Sequence, residues 1–312
     1  MRVKHGEIAT SRPKFDTTVA SSSHKSEEVE YLEAIGEENT EKLMRMARPY
    51  PDFKFARGAN ALQIAVSAEK FKSVQVLLDA GLDASLKDMW GTSALDTAIE
   101  KKLVETVQLI LSYTSDISKR IRLSSEGLHI AARFGHMETV KCLIDDGADI
   151  NMPDPTLQNA PLHLAAYNGH CSVMQLLISK GANLEATEIN SKTPLWRAIE
   201  GYIRYSKLCN LDAIALLLEA GANVEARSNP TTWESLLEYT VRLCEPQDKA
   251  IKATKLLLEY GARIWCSNRG KSLAVTPSRF AAAICPPTLV NEIEIRSRKA
   301  VVANGISRGR VR

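Results

Sequence analysis

The chain has 312 residues, a formal net charge of +3 and 45% hydrophobic residues, but only 6% aromatic ones, so any core is built mainly from Leu, Ile, Val and Ala. So small a charge does not by itself imply a nucleic-acid or membrane-surface partner. No apolar run reaches the roughly 18 residues expected of a spanning helix, and the opening MRVKHGEIAT carries no hydrophobic signal region.

Residues 1–24 are rich in Ser and Thr with little apolar content and are expected to be disordered. From residue 58 the chain repeats itself. SEGLHIAARFGHMETVKCLIDDGADIN, Ser125 to Asn151, is followed 34 residues later by NAPLHLAAYNGHCSVMQLLISKGANLE, Asn159 to Glu185. With the leucine of the LH-x-AA phrase as marker, equivalents fall at Leu62, Leu95, Leu128, Leu162, Leu195 and Leu236, in steps of 33, 33, 34, 33 and 41. Behind each marker comes an apolar triplet: Val76-Leu77-Leu78, Leu109-Ile110-Leu111, Cys142-Leu143-Ile144, Leu176-Leu177-Ile178, Leu216-Leu217-Leu218 and Leu256-Leu257-Leu258. Gly81, Gly147, Gly181, Gly221 or Gly261 closes the triplet's segment, except in the Leu95 unit, which has Thr114. Each unit therefore reads as a short helix, a tight turn, a second helix ending at the glycine and an extended connection. Helices of about ten residues are marginal alone, so the units must bury their apolar faces on one another.

The phrases PLHLAAYNGH, GLHIAARFGH and TPLWRAIE, with GADIN, GANLE and GANVE, resemble the ankyrin repeat over residues 58–265. The resemblance implies an all-α ankyrin-repeat solenoid: paired antiparallel helices, protruding loops and a concave binding face. Tyr31 to Ala47 resembles the polar unit that opens such arrays, with residues 25–57 as a degenerate N-terminal cap. TPSRFAAAICPPTLVNEIEI, from Thr276, suggests a closing cap within residues 266–302, before a basic tail at 303–312. Seven or eight stacked units result.

Chemistry motifs fail one by one. His129 and His163, and likewise His136 and His170, occupy equivalent slots; in the family these brace turns through backbone hydrogen bonds, a reading preferred to metal binding. The six cysteines, at 142, 171, 209, 244, 266 and 285, show no close pair and no zinc-site spacing, and Asn229-Pro230-Thr231 is barred from glycosylation by its proline. A cytoplasmic or nuclear protein with reduced thiols is expected. Gly270-Lys271-Ser272 lacks the upstream glycine of a phosphate loop, because Trp265 stands there. No cofactor or catalytic residue is identified.

Recognition remains. In the resemblance the loop tips and the exposed side of each first helix are free to vary, and the slots five and six after the marker hold Arg133-Phe134, Tyr167-Asn168 and Glu200-Gly201. Arg and aromatic residues there are candidate anchors, as are Trp90, Trp196 and Trp233 at or near the same face. Trp196 replaces the bracing His, and filling gaps around imperfect turns is the alternative role for Trp196 and Trp233. Insertions around Gly201–Asn210 and Arg242–Lys249 place two extended loops side by side, with Tyr202, Arg204, Tyr205 and Lys207 making the first aromatic and basic.

The leading expectation is a non-enzymatic adaptor, scaffold or regulatory subunit, monomeric by itself, that binds an unidentified protein through its concave face. The alternative is an enzyme or biosynthetic accessory protein with a site built from the two insertions, which a deep polar pocket near Tyr202 and Cys244 would favour.

Overall fold

The computed structural model describes residues 22–47, 55, 58–204, 211–228, 235–243 and 248–262, which contain fourteen α-helices and an isolated β-bridge between Arg227 and Ser235. Contacts divide the chain into two compact units, residues 1–98 and 99–312. The first holds α1 (Ser22–Gly36), α2 (Thr40–Ala47), α3 (Ala61–Ser67), α4 (Phe71–Asp79) and the start of α5 (Ala94–Glu100). The second holds the end of α5, then α6 (Val104–Ser112), α7 (Ile117–Phe134), α8 (Met137–Asp145), α9 (Pro161–Asn168), α10 (Cys171–Ser179), α11 (Pro194–Arg204), α12 (Leu211–Glu219), α13 (Leu236–Arg242) and α14 (Asp248–Glu259). The helix pairs alternate with loops as the repeat pattern predicts.

Local chemistry starts several of the first helices in the same way. At α3 the Asn60 side chain accepts from Gln63 N–H while Gln63 Oε1 accepts from Asn60 N–H, and Ser93 with Asp96 and Ser235 with Glu238 make the same reciprocal cap at α5 and α13. At α9 the third residue is His163, whose Nδ1 accepts from Ala160 N–H. Its other nitrogen, Nε2, then donates to the Lys192 carbonyl at 3.1 Å, tying this helix to the next loop. Gln63 does the equivalent, donating to the Thr92 carbonyl at 2.6 Å. At the second helices, His136 bonds the Ile99 carbonyl at 2.8 Å and His170 the Arg133 carbonyl at 3.0 Å, so each ties its helix pair to the preceding first helix. These histidines are braces between repeats.

The interior is the apolar triplets. Their central residues Leu77, Ile110, Leu143, Leu177, Leu217 and Leu257 are all fully buried, facing small alanines such as Ala65, Ala131 and Ala165 that let helices approach closely. Gly147 and Gly181, at φ 95° and 89°, take the left-handed conformation that releases the chain from α8 and α10 into the following loops.

Three features differ from the expected unit. First, α7 has 18 residues where a short helix was expected. Lacking the helix-ending glycine, the chain turns at Tyr113, caps a new helix with the Asp116 side chain and runs helical straight into the Leu128 repeat, with no extended connection. Ser124 Oγ donates to Asp146 Oδ2 and Ser125 Oγ accepts from Asp149 N–H, which fixes this extension on the turn after α8. Second, the Ser235–Glu238 cap makes Leu237, not Leu236, the equivalent of the earlier markers, since the marker is the second helical residue in α3, α5, α9 and α11. Third, the first insertion lengthens α11 to 11 residues. At the end of the second, α14 begins and runs 12 residues, and Lys249 Nζ on it donates to the Tyr202 carbonyl at 3.1 Å, so the two insertions do meet.

In the N-terminal segment expected to be disordered, Ser22 already opens α1, and residues 1–21 lie outside the described residues. The closing cap at 266–302 and the tail at 303–312 lie outside them as well.

Candidate functional site

In the second unit, the first helices carry two groups of aromatic and charged side chains, one on α7 and one that spans α9, α11 and α13. On α7, Arg133 and Phe134 are exposed, with the guanidinium 5.9 Å from the Phe134 ring centroid and Phe134 stacked on His136 at 5.7 Å. On α9, Tyr167 is half-buried because the Arg197 guanidinium of α11 lies 4.2 Å from its ring centroid. Asn168 turns back on its own helix, its Nδ2 donating to the Leu164 carbonyl at 2.8 Å.

Glu200 is the hub. Its side chain is 3% exposed, and Arg197 Nη1, Arg204 Nη2 and Lys192 Nζ reach its carboxylate at 2.9, 3.0 and 3.2 Å. Slot five of this repeat was expected to face outward. It is covered because α11 continues an extra turn and folds Arg204 over it. The Arg204 charge also acts on Tyr239, and Arg242 lies 5.3 Å from the Tyr239 ring centroid. Burial, then the Glu200 charge, pushes the Tyr239 hydroxyl up, while at Arg204 desolvation is outweighed by the same carboxylate, which raises the guanidinium. The set thus runs from Tyr167 on α9 through Arg197, Glu200 and Arg204 on α11 to Tyr239 and Arg242 on α13.

The remaining candidates divide by burial. Trp196 is 1% exposed, packed 5.3 Å from Tyr239, and Tyr202 is 7% exposed beneath Lys249. Neither offers area to a partner, so both are corrected to packing residues: Trp196 fills the buried slot that His163 holds in its own repeat, and Tyr202 lies on the extra turn of α11 under Lys249. Trp90, in the first unit, is 61% exposed on the loop after α4, where Asp88 accepts its backbone N–H. Tyr205, Trp233, Lys207 and Cys244 lie outside the described residues. Missed from sequence were Arg197 and Tyr239, each two residues after its marker once Leu237 serves as one, and Arg242, which then takes slot five.

The family model for ankyrin repeats matches residues 19–121 and 128–228, well over half of the chain. The chain belongs to the ankyrin-repeat family. Among solved structures, the ankyrin repeat domain of human ASB11 superposes with a TM-score of 0.58 at 21% identity, covering 75% of this chain and 98% of that one, a likeness of fold. No curated protein sequence matches the chain significantly. Ankyrin repeats are generally protein–protein interaction modules and typically non-enzymatic. Among the described residues, no helix is long and apolar enough to cross a membrane, and no group of three His, Cys, Asp or Glu side chains is placed to hold a metal ion.

The ankyrin braces also carry a titration signature. Burial holds His163 down to about 4, which agrees with its accepting from Ala160 N–H and donating to the Lys192 carbonyl as a neutral ring. His170 is shifted the same way by burial.

Proposed function

We propose that this protein is a non-enzymatic adaptor or regulatory subunit that binds a partner protein through the first-helix face of its second unit. The observation that carries the reading is the pair of aromatic and charged groups on successive first helices, Arg133 with Phe134 on α7 and the linked set from Tyr167 to Arg242 on α9, α11 and α13. An ankyrin stack needs only the triplets, alanines, caps and braces for its fold. Arg, Tyr and Phe side chains gathered on its variable face are the types that dominate interface energetics.

The insertion surface, the alternative location, is not separate from this face. Arg204 belongs to the first insertion and at the same time closes over Glu200, the centre of the helix face. The discriminating pair of variants therefore leaves Arg204 intact. Proteins captured by the full chain from its native cells are tested for binding to Arg133→Ala/Phe134→Ala/Tyr167→Ala and to Tyr205→Ala/Lys207→Ala. Loss in the first alone supports the helix face; loss in the second alone moves the function to the insertions.

A further inference from the structure

We infer that the partner presents an acidic, extended polypeptide segment to the α9–α11–α13 face, an inference that rests on the proposed binding surface and adds the chemistry of what it binds. Lys192, Arg197 and Arg204 all converge on Glu200, which can neutralise only one of their three positive charges. Arg242 on α13 and Arg133 on α7 are exposed cations on the same helix series. Glu188 and Glu238, which lie near the cluster, keep their negative charge while accepting from Asn190 Nδ2 at 3.1 Å and Ser235 N–H at 2.8 Å, so with Glu200 they offset three of the five cations Arg133, Lys192, Arg197, Arg204 and Arg242. The face is thus basic within a chain whose formal net charge is only +3.

The geometry favours charge held in place over a mobile lysine fringe. Arg197 is clamped between the Tyr167 ring and Glu200, with a side chain 18% exposed, and Arg204 is anchored by Glu200 at 3.0 Å while remaining 58% exposed. Arg197 Nε is buried without a partner, so it is the exposed Arg204 guanidinium, held on Glu200, that offers donors to solvent, and a carboxylate accepts such donors in pairs with little further ordering. Glu200 serves as the internal counter-ion that lets so many cations sit together before the partner's carboxylates arrive. The aromatic rings between them supply apolar area beside the charges, which suits a peptide more than a bare polyanion.

The test uses the purified full chain and fluorescein-labelled decaglutamate, followed by polarisation, with a Gly-Ser decapeptide and a uridylate decamer as comparison probes. Decaglutamate should bind and weaken as salt rises from about 50 to about 200 mM. Arg204→Ala/Arg242→Ala should weaken it roughly tenfold or more, whereas Lys141→Ala/Lys252→Ala, which removes equal charge from the second helices, should weaken it by less than about threefold. Should the double variant lose helicity, Arg242→Glu alone, on an exposed position, must weaken decaglutamate in the same way. Equal losses in both double variants, no binding of decaglutamate, or tighter binding of the uridylate with the same Arg dependence would overturn the inference. If captured partners are lost by the Arg133/Phe134/Tyr167 variant while decaglutamate ignores Arg204 and Arg242, the surface stands and its acidic specificity falls. If those partners still bind that variant, the surface itself is wrong.

Discussion

The Arg197 guanidinium lies 4.2 Å from the centroid of the Tyr167 ring, joining the first helices of two consecutive repeats by a contact that the repeat pattern does not require. Because Arg197 also reaches Glu200 at 2.9 Å, the aromatic slot of one repeat and the buried carboxylate of the next act as one unit. Glu200→Gln should therefore destabilise the protein by roughly 2–4 kcal/mol, less than a fully buried triad would lose, since water screens the exposed Arg204 head. Urea unfolding at neutral pH reads this directly; a midpoint equal to the parent's would remove Glu200 from the centre of the face.

His163 gives a pH prediction with a defined sign. Its folded value, about 4, lies below the ordinary value of 6.5, so between these limits the unfolded chain binds more protons and stability falls as the pH drops. The loss begins below about 6.5 and is complete below about 4. His163→Gln should keep both hydrogen bonds, as Gln63 does in its own repeat. The variant should match the parent's melting at pH 7.5 and exceed it at pH 5, and parallel pH curves for the two proteins would refute the assignment.

Leu177 is fully buried at the centre of its triplet. Leu177→Ala should cost about 2–5 kcal/mol through lost transfer energy and the cavity left behind. Weakening a middle unit should also uncouple its neighbours and broaden the unfolding transition. Melting within a degree of the parent would show that the register of the stack is wrong.

Gly135 ends α7 at φ 75°, and a Cβ there would sit 2.5 Å from His170 Nδ1, the ring that holds the Arg133 carbonyl. Gly135→Ala should destabilise by more than about 1 kcal/mol, combining backbone strain with loss of the brace. Gly36→Ala is the control. Its Cβ meets nothing within 4 Å and its φ is not positive, so thermal melting should be unchanged or slightly raised.

The period was legible because leucine markers, triplets and closing glycines are dictated by stacking, and stacking is the core. What the sequence hid has local physical causes. The α7 extension is one: Thr114 marked a missing glycine, and Asp116 followed by ISKRIRLSSEG contained a cap and no breaker, yet the repeat template favoured a loop there. The adjacent Leu236 and Leu237 made the marker ambiguous, which only the Ser235–Glu238 cap resolves. Glu200 was expected to face outward by its slot and Tyr202 to sit on an extended loop, and both are interior where the insertion continues a helix; Trp196 is buried as His163 is in the same slot of its own repeat. The exposed candidates Arg133 and Phe134 came from slots that the insertions leave untouched.

The measurement that bears most directly on the central claim is the affinity of Arg133→Ala/Phe134→Ala/Tyr167→Ala for a partner captured by the parent protein, taken with its melting curve. The three side chains lie outside the triplets, so truncation should move stability by about half a kcal/mol at exposed Arg133 and Phe134 and by somewhat more at half-buried Tyr167, which loses its contact with Arg197. Affinity should nevertheless fall roughly thirtyfold or more, the equivalent of losing one hot spot of about 2 kcal/mol. Unchanged affinity in a folded triple variant would contradict the account and place the working surface elsewhere on the molecule.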